Sequence, residues 1–134
     1  MEKIYYELLE KAKKVSLNTY SPYSNFPVGA CVLYESGNEY VGCNVENASY
    51  GLTVCAERNA ISTAIANNEK TKIKAIAIYS PKQAKCMPCG ACRQWISEFA
   101  SKDEQTKIIL EDNNNAHVIF DWEAIFPSGF KFEK

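Results

Sequence analysis

Two short segments constrain this chain more than anything else in it. One is Cys55-Ala56-Glu57-Arg58, the other Pro88-Cys89-Gly90-Ala91-Cys92-Arg93. The spacing Cys-x2-Cys lets two thiolates reach one tetrahedral metal from a single turn. Each segment stands where the pattern changes from loop to helix. A fold that uses them must therefore bring two helix starts together. Orphan N–H groups and the positive end of the helix dipole stabilise a thiolate at such a start. With Cys55 as a third ligand the fourth position is left for water, which is the catalytic form of a zinc site, whereas structural sites are closed by four protein ligands.

The surrounding pattern reads as one domain over residues 1–134, with no internal repeat or linker. Ile4, Leu8, Ala12 and Val15 recur at helical spacing within residues 2–20, and Ser21-Pro22 ends that helix. Residues 28–34 and 39–43 flank a Glu35-Ser36-Gly37-Asn38 turn and predict a β-hairpin. Residues 44–54 read as polar loop. From Cys55 a helix follows, with Ala56, Ala60, Ile61, Ala64 and Ile65 on one face. Residues 73–79 read as a buried strand and 80–88 as a loop. Residues 89–100 read as a helix with Trp95, Ile96 and Phe99 on one side. Residues 107–110 and 117–120 are short strands whose link is too short for a parallel crossover, so they pair antiparallel. A short helix near 121–126 follows. Together these predict an α/β fold, a mixed sheet of about five strands with helices on both faces.

Composition narrows the function. Lys and Arg number 15 and Asp and Glu 16, so no basic excess marks a polymeric nucleic-acid partner or an anionic membrane. No run approaches the apolar length of a membrane span, and Met1-Glu2-Lys3-Ile4 lacks the layout of a signal peptide. The expected setting is the cytoplasm, where spaced cysteines are metal ligands or catalytic groups more often than disulfides.

Glu57 lies two residues beyond Cys55. A carboxylate placed beside a metal-activated water takes its proton and passes it to a substrate. Three thiolates bring more negative charge than one zinc ion cancels. Arg58 and Arg93, each directly after one of these segments' key residues, are expected to hydrogen-bond the ligand sulfurs and draw charge off them. On spacing alone a structural four-cysteine site stays open, because Cys86 continues the series Cys86-x2-Cys89-x2-Cys92. A thioredoxin-type redox pair lacks the short βαβ setting it needs. Cys31 and Cys43 read as small buried hydrophobes. His117, the one histidine, reads as a surface residue.

The segments Asn44-Val45-Glu46-Asn47-Ala48-Ser49-Tyr50, Cys55-Ala56-Glu57-Arg58 and Pro88-Cys89-Gly90-Ala91-Cys92-Arg93-Gln94 resemble those of the small homotetrameric cytidine deaminases. So does Tyr20-Ser21-Pro22-Tyr23-Ser24-Asn25-Phe26-Pro27-Val28-Gly29-Ala30, and the likeness runs from about Thr19 to Phe130. The resemblance implies a three-layer α/β/α sandwich and the general zinc deaminase chemistry. It implies one Zn2+ per chain on Cys55, Cys89 and Cys92, with Glu57 as the proton shuttle. It implies that Asn44 and Glu46 grip the ribose 3′-hydroxyl, that Phe26 lines the nucleoside pocket, and that the Ala56 N–H meets the pyrimidine 2-carbonyl. Ala48, Tyr50 and Phe130 match positions that complete a neighbouring subunit's pocket. The implied activity is hydrolytic deamination of cytidine and 2′-deoxycytidine to the uridines, in pyrimidine salvage. Three alternatives stand beside it: a blasticidin-S deaminase-like enzyme, a polynucleotide cytosine deaminase, and a non-catalytic structural zinc domain. Met87 departs from the serine that many relatives carry before the proline, and Cys86 is an addition.

Overall fold

The computed structural model describes residues 2–101 and 106–132. The chain opens with helix α1 (Glu2–Val15), continued by a 3-10 turn over Ser16–Asn18. Two strands follow, β1 (Gly29–Tyr34) and β2 (Glu39–Cys43), then a 3-10 turn over Tyr50–Leu52 and helix α2 (Ala56–Ala66). Strand β3 (Ile73–Tyr79), helix α3 (Gly90–Phe99), strands β4 (Lys107–Glu111) and β5 (His117–Asp121), and helix α4 (Trp122–Ile125) complete it. The sheet order is β2-β1-β3-β4-β5. Among the described strand pairs of the sheet only β3–β4 is parallel, with α3 between them in the chain, and the expected β1–β2 and β4–β5 hairpins both form.

Pleat alternation builds the layers. All six residues of β1 are buried because both faces of the sheet are covered. Ala30, Val32 and Tyr34 point to one side, with Ile76, Ile78, Ile108 and Leu110, and meet Ala56, Ala60, Ile61 and Ala64 of α2 and Ile96 of α3. Cys31, Leu33, Ala75, Ala77 and Ile109 point to the other side and meet Tyr5, Leu8, Leu9 and Ala12 of α1. The result is the expected three-layer sandwich. Burial pushes the Cys31 thiol up to about 12, in keeping with a small core side chain, whereas Cys43 is only half-buried.

Two glycines let helices lie close on the sheet. A Cβ on Gly29 would stand 2.0 Å from the Ala12 carbonyl of α1, and one on Gly42 would stand 2.4 Å from the Ala60 nitrogen of α2. Periodicity misplaced two side chains. Ile65 is 48% exposed and Trp95 39% exposed, outside the stripes that Ala64 and Ile96 bury. A 3.6-residue period gives the centre of an apolar face but not its width.

Candidate metal centre and active site

Cys55 is the residue at which α2 begins, with φ −72° and ψ 158°. Cys89 does the same for α3, with φ −69° and ψ 170°. Their carbonyls accept the first helical hydrogen bonds, from Asn59 at 3.1 Å and from Arg93 at 2.9 Å. Neither side chain is used as a helix cap, which leaves both sulfurs free to face one another. Cys92 stands one turn into α3 and is buried. The three Sγ atoms lie within 4.8 Å of one another, and Cys55 Sγ is 3.9 Å from Cys89 Sγ. Zn–S bonds of about 2.3 Å in a tetrahedron place sulfurs about 3.8 Å apart. The donor set fits zinc. Among the described residues no fourth His, Cys, Asp or Glu joins the cluster, so Cys86 is not the closing ligand that spacing had allowed.

Electrostatics make the same point. The Cys92 thiol and the Arg58 guanidinium hydrogen-bond the Cys55 sulfur and lower its pKa, while the same contact and burial raise that of Cys92. Three adjacent thiols cannot all ionise without a cation between them. Arg58 Nη2 stands 3.5 Å from Cys55 Sγ and also donates to the Thr53 carbonyl at 3.2 Å. Arg93 does otherwise than expected. Its Nε donates to the Pro88 carbonyl and its Nη1 to the Ile125 carbonyl, each at 2.8 Å. It fixes the turn before Cys89 instead of touching a sulfur.

Glu57 follows on α2 and is 4% exposed. Burial pushes its carboxyl up to about 7, with the neighbouring Cys55 adding to the rise. A bound dication acts the other way and favours the carboxylate.

A cavity of about 360 Å³ opens beside the sulfurs. Cys55, Ala56, Glu57 and Cys89 line it, together with Phe26, Asn44 and Glu46. These residues are thus gathered from four parts of the chain. The Asn59 amide donates to the Cys43 carbonyl at 2.8 Å and ties α2 to the end of β2, just before Asn44. Asn44 and Glu46, two apart on extended backbone, point to the same side. Their partners lie in the loop before β1. The Asn44 side chain accepts from Val28 N at 2.8 Å and donates to Phe26 O at 3.0 Å. Glu46 accepts from the Tyr23 and Ser24 backbone at 2.9 and 3.1 Å and from the Ser24 hydroxyl.

Ala48, Tyr50 and Phe130 do not line this cavity. They are exposed, Tyr50 at 75% and Phe130 at 71%. The cavity wall also holds Met87 and, with no pocket role expected from the sequence, Ser24, Val28, Thr53 and Cys86. Ser24 and Val28 sit inside the motif at 20–30, so position was their one signal. His117 is half-buried at the start of β5 and lies outside the sulfur cluster.

The sequence model of the cytidine and deoxycytidylate deaminase zinc-binding region matches residues 2–107. The chain belongs to this deaminase family. Its Cys55, Cys89 and Cys92 cluster can hold the zinc ion that this family binds. The cytidine deaminase of Sporosarcina psychrophila is 44% identical over 95 residues, covering 71% of this chain and 69% of that one. That of Mycoplasma genitalium is 32% identical over 125 residues, covering 92% and 93%. The crystal structure of cytidine deaminase from Burkholderia pseudomallei superposes with a TM-score of 0.83 at 36% identity, covering 93% of this chain and 98% of that one. The enzyme from Mycobacterium tuberculosis gives 0.80 at 31%, covering 96% and 98%.

Proposed function

We propose that this deaminase hydrolyses the 4-amino group of cytidine and 2′-deoxycytidine, giving the uridine and ammonia. The observation that carries the reading is one cavity walled by two sulfurs of the three-cysteine cluster, by the buried Glu57 and by the Asn44–Glu46 pair. Zinc on Cys55, Cys89 and Cys92 would supply a Lewis acid that activates water at neutral pH. Glu57 takes the proton from the attacking water and delivers it to ring N3, then takes the proton of the new C4 hydroxyl and gives it to the amino group, which leaves as ammonia. Its burial keeps bulk water from competing for that proton. Phe26 packs on the base, the Ala56 N–H meets the 2-carbonyl, and Asn44 and Glu46 hold the 3′-hydroxyl. A net charge of −1 and a carboxylate at the sugar end favour a nucleoside over a polynucleotide.

The reading extends to the whole chain. Residues 1–134 are one catalytic domain. Four copies share active sites, with Ala48, Tyr50 and Phe130 completing a neighbour's cavity, which their exposure supports. The setting is cytoplasmic pyrimidine salvage. Six free thiols, three of which must stay reduced to hold metal, support a reducing compartment.

Loss of cytidine absorbance in the ultraviolet tests the chemistry. The parent turns cytidine over, and Glu57→Gln loses about 10² to 10⁴ in kcat while keeping its zinc. Parental kcat in Glu57→Gln removes the proton shuttle from the mechanism.

A further inference from the structure

We propose that Ser24 is a positioning residue that fixes the Glu46 carboxylate so that a single acceptor faces the sugar. The inference rests on the reading that Asn44 and Glu46 hold a sugar hydroxyl.

The segment carrying Ser24 is laced to the segment carrying Glu46. Tyr20 N donates to Asn44 O at 3.2 Å, and Glu46 N donates to Tyr20 O at 2.8 Å. Asn25 adopts a left-handed φ of 55° between Ser24 and Phe26. This turn lets Ser24 face Glu46 while Phe26 reaches the same cavity. The Ser24 hydroxyl donates to Glu46 Oε2 and accepts from Phe26 N at 3.0 Å, so it links the carboxylate to the aromatic wall. The Ser24 hydroxyl is also the chief influence holding the Glu46 carboxyl below its ordinary pKa.

Counting acceptors gives the consequence. A carboxylate offers about four lone-pair sites. Oε1 of Glu46 receives the N–H groups of Tyr23 and Ser24. Oε2 receives the Ser24 hydroxyl, which leaves one site. The Asn44 amide accepts from Val28 N at Oδ1 and gives one hydrogen to Phe26 O, which leaves one N–H to donate and one Oδ1 lone pair. The Asn44 N–H and the one open site on Glu46 can hold a single hydroxyl from its acceptor and donor sides. On the proposed reading that hydroxyl is the 3′-hydroxyl. Without the Ser24 hydroxyl, Glu46 gains a second open acceptor and loses its fixed orientation.

The test compares kcat and KM for cytidine, 2′-deoxycytidine and 3′-deoxycytidine in the parent, Ser24→Ala and Ser24→Thr. Zinc content and thermal melting of each variant confirm that it is folded. In the parent, kcat/KM on 3′-deoxycytidine falls about a hundredfold or more against cytidine. Ser24→Ala raises KM for cytidine about tenfold, with kcat moving far less. In that variant the cost of removing the 3′-hydroxyl shrinks to about tenfold, and cytidine gains over 2′-deoxycytidine. Ser24→Thr, which keeps the hydroxyl, restores the parental pattern. A Ser24→Ala variant with parental KM, or one slowed on all three substrates with an unchanged 3′-hydroxyl cost, overturns the role of Ser24. A parent that accepts 3′-deoxycytidine as well as cytidine overturns the sugar reading instead.

Discussion

Charge on the sulfurs sets what the site does. Three thiolates against one dication leave an excess negative charge that would blunt a Lewis acid. Arg58 answers it from three residues beyond Cys55, on the same face of α2, with Nη2 at 3.5 Å from that sulfur. We expect Arg58→Gln to weaken zinc affinity about tenfold and to lower kcat, as loss of a group that supports a ligand does. Competition against a chromophoric chelator measures this, and parental affinity would remove Arg58 from the role. Arg93 shows where sequence stops being informative. Both arginines follow the cysteine segments, and both looked alike. The partner that separates them, the Ile125 carbonyl, lies 32 residues away on α4 and enters only through tertiary packing. The ligands themselves were legible, because Cys55, Cys89 and Cys92 stand at helix starts that local pattern reveals. The exclusion of Cys86 was not, because it depends on the path of residues 80–88.

The elements place those residues through a few close contacts. Gly42 lets β2 lie against α2, and the Asn59–Cys43 hydrogen bond locks the pair. An alanine at 42 forces backbone apart, so Gly42→Ala is expected to cost about 3 kcal/mol in denaturant unfolding and to disturb Glu57 with it. Unchanged stability would show that α2 sits further off. A second tie joins the β1–β2 turn to the loop before β3. Glu69 accepts from the Thr71 hydroxyl and amide, Asn38, Ser36 and Tyr40. The Thr71 hydroxyl leads in holding its carboxyl down to about 2, against an ordinary 4.5. The folded pKa is depressed, so this stabilisation is complete above pH 4.5 and is lost as pH falls toward 2. Glu69→Gln should melt lower than the parent at neutral pH, and the gap should close across that window. A constant gap down to pH 2 would contradict it. Strand boundaries and both hairpins were legible, since β2 matched residue for residue. The widths of the apolar stripes on α2 and α3 were not, because neighbours set them.

At the scale of the molecule, the isolated chain leaves Tyr50, Leu52, Ile65, Trp95 and Phe130 open to solvent. The proposed four-chain assembly would cover part of this surface. No described helix is long and apolar enough to cross a membrane. Three sulfurs hold one zinc ion, and hydrolysis of cytidine is expected to depend on it. The direct measurement strips the protein with a chelator, returns zinc stepwise, and follows cytidine turnover against zinc bound per chain. Activity should rise from near zero in proportion to bound zinc and level off at one ion per chain, with Cys89→Ser failing to recover. Full turnover by the stripped protein, or a chain that binds one zinc and never deaminates cytidine, would contradict the account.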